Sequence, residues 1–159
     1  MDLISTAQLL GNFGEFVGSI AILVTLIYLA TQLRQTTKAL RASSYDSYKG
    51  MADSLMGTQV EHPIPFTKLQ RGGDLSPEEQ TMVSAWAYQV FVQMESTYLQ
   101  HREGLIDTDV YQARTRGFTE MMNNSSYAAY MRATWKVVSK YAFIDAFVRV
   151  MNEEINQPS

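Results

Sequence analysis

Residues 16–33 carry no formal charge, and this run of eighteen constrains the fold more than any other feature. Ile20, Ala21, Ile22, Leu23 and Val24 are consecutive, so a helix here is apolar on every face. A bilayer core of about 30 Å needs roughly 20 helical residues. Extending the run back to Asn12 or Phe13 reaches that length and puts Glu15 at the headgroup edge. A cleaved signal peptide is the poorer reading. It wants a basic start and small residues before the cut, whereas Asp2 opens this chain and Tyr28 interrupts the end of the run. A buried core helix in a soluble bundle is the alternative. The preferred reading is a transmembrane helix over 13–33, after a short N-terminal segment 1–12.

The flanks suggest an orientation. Arg34, Lys38 and Arg41 follow the span, and no basic side chain precedes it. Positive charge gathers on the cytoplasmic side of membrane helices. The N-terminus is therefore expected outside and the remainder in the cytoplasm. The same three bases suit anionic lipid headgroups. Within the span Gly11, Gly14, Gly18, Ala21 and Thr25 recur every three or four residues. Small residues on one stripe let helix backbones approach closely, so they predict a helix-packing face toward a second copy or another subunit.

The remaining charges exclude some functions. Net charge is −3, which argues against general nucleic-acid binding. There is no cysteine, hence no disulfide, thiolate metal site or thiol catalysis. His62 and His101 have no histidine partner at helical spacing, and no Glu-x-x-His occurs, so no metal or other cofactor is expected. There is no P-loop, no G-x-G-x-x-G and no G-x-S-x-G. No catalytic residue is assigned, and the chain is read as a non-enzyme.

Helical periodicity continues beyond the span. Leu33, Leu40, Ser44, Tyr48, Met51 and Leu55 follow one another at spacings of three, four or seven. This predicts one long helix, or two nearly collinear ones, from about 13 to 58, with 34–60 as a juxtamembrane segment. Residues 61–75 hold two prolines and Gly72-Gly73 and read as a connector, with one helical turn over 66–70. "SPEEQ" is a strong helix start, with Ser76 as N-cap, Pro77 at the first position and Glu79 completing a capping box. That helix should run to about Arg102, stop at Gly104, and carry its stripe on Val83, Ala87, Val90, Phe91, Met94 and Tyr98. Asp107 should cap a helix to about Met122. Further helices are predicted over 127–138 and 139–154, the last facing inward with Tyr141, Ile144, Phe147, Val148, Met151 and Ile155. No strand alternation is present. The fold class is all-α: a transmembrane helix running into a long amphipathic one, then a helical domain over 76–155, a cytoplasmic bundle of about four helices.

Glu95 lies close to the apolar stripe of its helix, near Phe91 and Tyr98. Glu95 with Tyr98 is therefore the candidate buried polar site. The bland reading pairs Glu95 with an arginine from a neighbouring helix, such as Arg114 or Arg132, since buried charges are normally paired. Trp86 and Trp135 are expected in the core.

Over residues 16–48 the sequence resembles a group of small uncharacterised bacterial proteins. These share an anchor of the form I-A-x-x-V-T-L-I-Y-L-A-x-Q-[LI]-R-Q-x-T-K-A-x-R-A ahead of an all-helical domain. The likeness continues loosely through "SPEEQ", residues 94–107 and the aromatic C-terminal third. Members often carry a Pro-Gly and a Trp pair before the last helices, where this chain has "NNSSYAAYMRATW". The resemblance implies a bacterial inner-membrane protein and supplies no activity.

Three functions remain open from sequence. The first is a non-enzymatic membrane-anchored protein acting in assembly, as a homo-oligomer or an accessory subunit of an inner-membrane complex, with lipid and protein as partners. The second is a membrane-tethered sensor or enzyme whose bundle binds a small molecule or lipid. The third is a soluble helical protein with residues 16–33 as core.

Overall fold

The structure, a computed structural model, describes residues 3–156, with side chains from Gln8 onward. Among these residues there are six α-helices and no strand. The first, α1, runs unbroken over Leu3–Glu61. It starts within the segment expected to stand apart at 1–12, where no proline prevents the helix from extending toward the N-terminus. Gly50 and Gly57 do not interrupt it; each costs a helix only about 1 kcal/mol against alanine. The chain divides into two units, Met1–Ala42 and Ser43–Ser159.

The described part of the first unit consists of the N-terminal portion of α1 alone. Residues 8–42 are all exposed. Its hydroxyls are satisfied within the helix: Ser19, Thr25 and Thr31 donate to the carbonyls of Glu15, Ala21 and Ile27 at 2.8, 2.8 and 2.9 Å. Gln32 Nε2 donates to the Tyr28 hydroxyl at 2.6 Å.

In the second unit the rest of α1 follows the predicted stripe. Ser44 and Leu55 are buried, and Tyr48 and Met51 are half-buried. The predicted connector contains a full helix, α2 (Pro63–Gln70), rather than one turn. Pro63 tolerates its first turn because no N–H is needed there, and Pro65 and Phe66 are buried. Gly72, at φ +69°, ends α2. The Gly73 N–H then bonds back to the Lys68 carbonyl at 2.8 Å, the six-to-one bond of a Schellman cap.

The central helix is α3 (Pro77–Arg102), and its capping box forms as the sequence predicts. Ser76 Oγ accepts from the Glu79 N–H at 3.3 Å, and Glu79 Oε2 accepts from the Ser76 N–H at 2.8 Å. Lys68 adds an ion pair to Glu79 at 2.8 Å that ties α2 to α3. At the far end Gly104, at φ +71°, sits between Glu103 and Leu105, whose N–H reaches the Gln100 carbonyl at 2.8 Å. Val83, Trp86, Ala87, Val90, Phe91, Met94 and Thr97 are buried, so α3 carries neighbours on more than one side.

Those neighbours are α2, α4 (Thr108–Asn123) and α5 (Ala128–Val138), while α6 (Asp145–Asn156) packs on α4 and meets α3 through Phe147 on Tyr98. Aromatic rings fill two regions of the core. Trp86 packs on Phe66 and Tyr127 with centroids 5.3 and 5.8 Å away. Trp135 packs on Phe91, Phe143 and Phe147 at 5.1, 5.5 and 5.8 Å. Both tryptophans are buried, as expected, and their N–H groups are used: Trp86 Nε1 donates to the Leu55 carbonyl, Trp135 Nε1 to Asn152 Oδ1.

The last helix departs from expectation. It begins at Asp145, and residues 139–144 form turns in which Ala142 N–H bonds to the Val138 carbonyl at 3.0 Å. In this turn the Phe143 ring packs on Trp135 and Phe147 at 5.5 and 5.7 Å, and the Ile144 N–H goes to Glu95 Oε1. Phe147 and Met151 are buried as predicted, while Tyr141 and Ile144, expected to face inward, are exposed.

Candidate functional site

Two features stand out, one in each unit. The first is the apolar run of α1. It is the one helix of the described residues long and apolar enough to cross a membrane, and none of its apolar window is buried. Gly18, Ala21 and Thr25 lie within it and Gly11 and Gly14 just ahead of it, all exposed. A Cβ built on any of the three glycines meets nothing within 4 Å, so packing within this chain does not require glycine there. Arg34, Lys38 and Arg41 are likewise exposed on the turns that follow.

The second feature is a cavity of about 370 Å³ in the helical unit, where α1, α3 and α4 meet. Val90, Met94, Phe118 and Met121 supply apolar walls. Ala113 and Gly117, the small residues of α4, leave it open. Its polar groups are Tyr48, Gln93, Thr97 and Arg114. The Thr97 hydroxyl is used by the Gln93 carbonyl at 3.0 Å, and Gln93 Nε2 holds the Tyr48 carbonyl at 3.2 Å.

Arg114 is the unusual member. Its guanidinium carbon lies 3.5 Å from the centroid of the Tyr48 ring. Both terminal nitrogens are shielded from solvent and have no hydrogen-bond acceptor among the described residues. A cation–π contact is worth about 0.5–2 kcal/mol, but it accepts none of the guanidinium's in-plane hydrogens. Desolvation pulls the Arg114 pKa below its ordinary value, with Tyr48 and Tyr45 acting in the opposite sense. The group stays cationic at neutral pH.

Glu95 and Tyr98 stand elsewhere. Glu95 does not take the expected arginine. Its Oε1 accepts from the Ile144 N–H at 2.9 Å and so anchors the turn that leads into α6. Tyr98 packs on Phe147 at 5.8 Å. Neither lines the cavity, and Arg132 is exposed. His62 is the N-cap position of α2, and His101 stacks on Tyr111 at 4.3 Å, 9° from parallel.

Sequence reasoning passed over the Tyr48–Arg114 pair, although a signal existed. Tyr111, Arg114, Phe118 and Met121 are spaced three, four and three apart, which places an arginine on the apolar face of α4. No protein-family model, curated protein or solved structure matches the chain.

Proposed function

We propose that the chain is a non-enzymatic, single-pass membrane protein that acts in assembly, either as a homo-oligomer or as an accessory subunit of a larger membrane complex. One observation carries the membrane part. Eleven large apolar side chains from Phe16 to Leu33, Tyr28 included, are each 45–70% exposed. Full burial of such a side chain is worth about 1.5–3 kcal/mol, so leaving the run in water forgoes on the order of 10 kcal/mol. Lipid removes that cost. Lipid also demands that hydroxyls be satisfied inside the helix, as those of Ser19, Thr25 and Thr31 are. The same exposure counts against residues 16–33 as the core of a soluble bundle.

In this reading Arg34, Lys38 and Arg41 set the topology, with the N-terminus outside and the helical unit in the cytoplasm. The likeness of residues 16–48 to bacterial anchor sequences supports the inner membrane of a bacterium. The small residues from Gly11 to Thr25 support the assembly role, because the chain's own packing makes no use of their size.

The test is the mass and composition of the native particle extracted in mild detergent. A multiple of 18.0 kDa, or fixed-ratio co-purification with other subunits, is expected. Gly14→Leu with Gly18→Leu should dissociate it. A monomer in the unmodified protein, or a particle indifferent to both leucines, contradicts the assembly role. Release without detergent contradicts the anchor.

A further inference from the structure

The cavity of the helical unit lies wholly within residues 48–121 and goes beyond the anchoring reading. Its volume of about 370 Å³ falls at the lower end of the roughly 300–1,000 Å³ typical of small-molecule sites. Its lining holds one cation, Arg114, and no carboxylate. Arg114 is half-buried, but both its terminal nitrogens are shielded from water with no acceptor among the described residues, and shielding a cation without an anionic partner is costly.

We propose that this cavity binds a monoanionic carboxylate bearing a short apolar chain, with Arg114 as the partner of the carboxylate. A single guanidinium matches a single negative charge and presents a fork suited to two carboxylate oxygens. No second base lines the cavity to balance a phosphate dianion. The walls of Val90, Met94, Phe118 and Met121 receive the chain. Binding in this way requires the Arg114 fork, shielded from solvent beside Tyr48, to turn into the cavity. The flexible Met94 and Met121 adapt to the tail. The Tyr48 ring stacks on the guanidinium at 3.5 Å, and Gln93 holds the Tyr48 backbone carbonyl.

The test uses the full chain in zwitterionic-lipid nanodiscs. Octanoate, octan-1-ol and octylamine are titrated by calorimetry, with empty nanodiscs subtracted. Octanoate should bind saturably at one site. Octan-1-ol should bind at least about tenfold more weakly, because a charge-assisted pair is lost, and octylamine should not bind. Arg114→Met keeps an apolar stem and should weaken octanoate at least about tenfold. Ala113→Phe fills the cavity from an exposed position of α4, retains the guanidinium, and should also abolish binding. It decides the matter if Arg114→Met does not fold. Equal binding of octanoate and octan-1-ol, no saturable octanoate binding at millimolar concentration, or undiminished binding by Ala113→Phe would overturn the assignment.

Discussion

The apolar run of α1 and the central helix α3 draw on similar side chains, yet they meet opposite environments. Residues 16–33 leave every side chain exposed, whereas α3 buries seven of its residues within the chain. Both are long enough to cross a membrane, but only the run of α1 is apolar enough. The difference lies in what interrupts the apolar positions. In α3, Gln80, Gln89 and Gln93 sit among the apolar residues, Glu95 binds a backbone amide of the next turn, and a capping box fixes its start. The run in α1 has no charge, and its few hydroxyls turn back onto its own carbonyls. A helix built like α3 selects helices of the same chain as its solvent. A helix built like residues 16–33 selects a solvent that makes no polar demand.

Charging the α1 run should break that contrast most strongly. Ile22→Arg with Val24→Arg costs about 2.5–3.5 kcal/mol per arginine at the centre of a membrane helix. The protein should leave the carbonate-washed membrane fraction while its helical unit keeps its thermal unfolding transition. Loss of that transition would mean that the two units are not separable in this way.

Truncating α3 is the mirror experiment. Phe91 is fully buried among Phe118, Trp135 and Phe143. Phe91→Ala should cost about 3–5 kcal/mol, read from urea unfolding in a mild nonionic detergent, with membrane association unchanged.

Smaller effects sharpen the account of how α3 starts. Ser76→Ala removes one half of the capping box and should cost about 1 kcal/mol in the same urea measurement. The Lys68 ammonium, then the Ser76 amide, hold the Glu79 carboxyl below its ordinary pKa. A carboxyl lowered by folding contributes stability above its unfolded value and loses it as pH falls through the folded one. The stability gap between the native protein and Lys68→Met should therefore be present at neutral pH and vanish once Glu79 is protonated. A gap that persists in acid would assign Lys68 a packing role instead.

Much of this architecture was legible in the residues. The uncharged run, the capping box of Ser76 and Glu79, the stop at Gly104, and the stripe of Ser44, Tyr48, Met51 and Leu55 follow from local chemistry, which a single sequence displays. The start of α6 was not legible. The turn there is held by contacts with other elements, the Phe143 ring on Trp135 and Phe147 and the Ile144 N–H on Glu95, which no local pattern displays. Spacing places Glu95 beside the apolar stripe, but its partner is a backbone amide, which carries no mark in sequence. Arg114 is the converse case. Its place on the apolar face of α4 was readable from spacing, and its lack of an acceptor became visible only when α1, α3 and α4 were assembled around it.

The central claim is that residues 16–33 cross a membrane with the helical unit on the cytoplasmic side. The chain has no cysteine, so a single introduced thiol reports its own location. Gln8→Cys and Lys136→Cys, both at exposed positions, would be treated with a membrane-impermeant maleimide before and after lysis of spheroplasts. The account predicts labelling of Gln8→Cys from outside and of Lys136→Cys only after lysis. Labelling of both only after lysis, or of Lys136→Cys from outside, would contradict it.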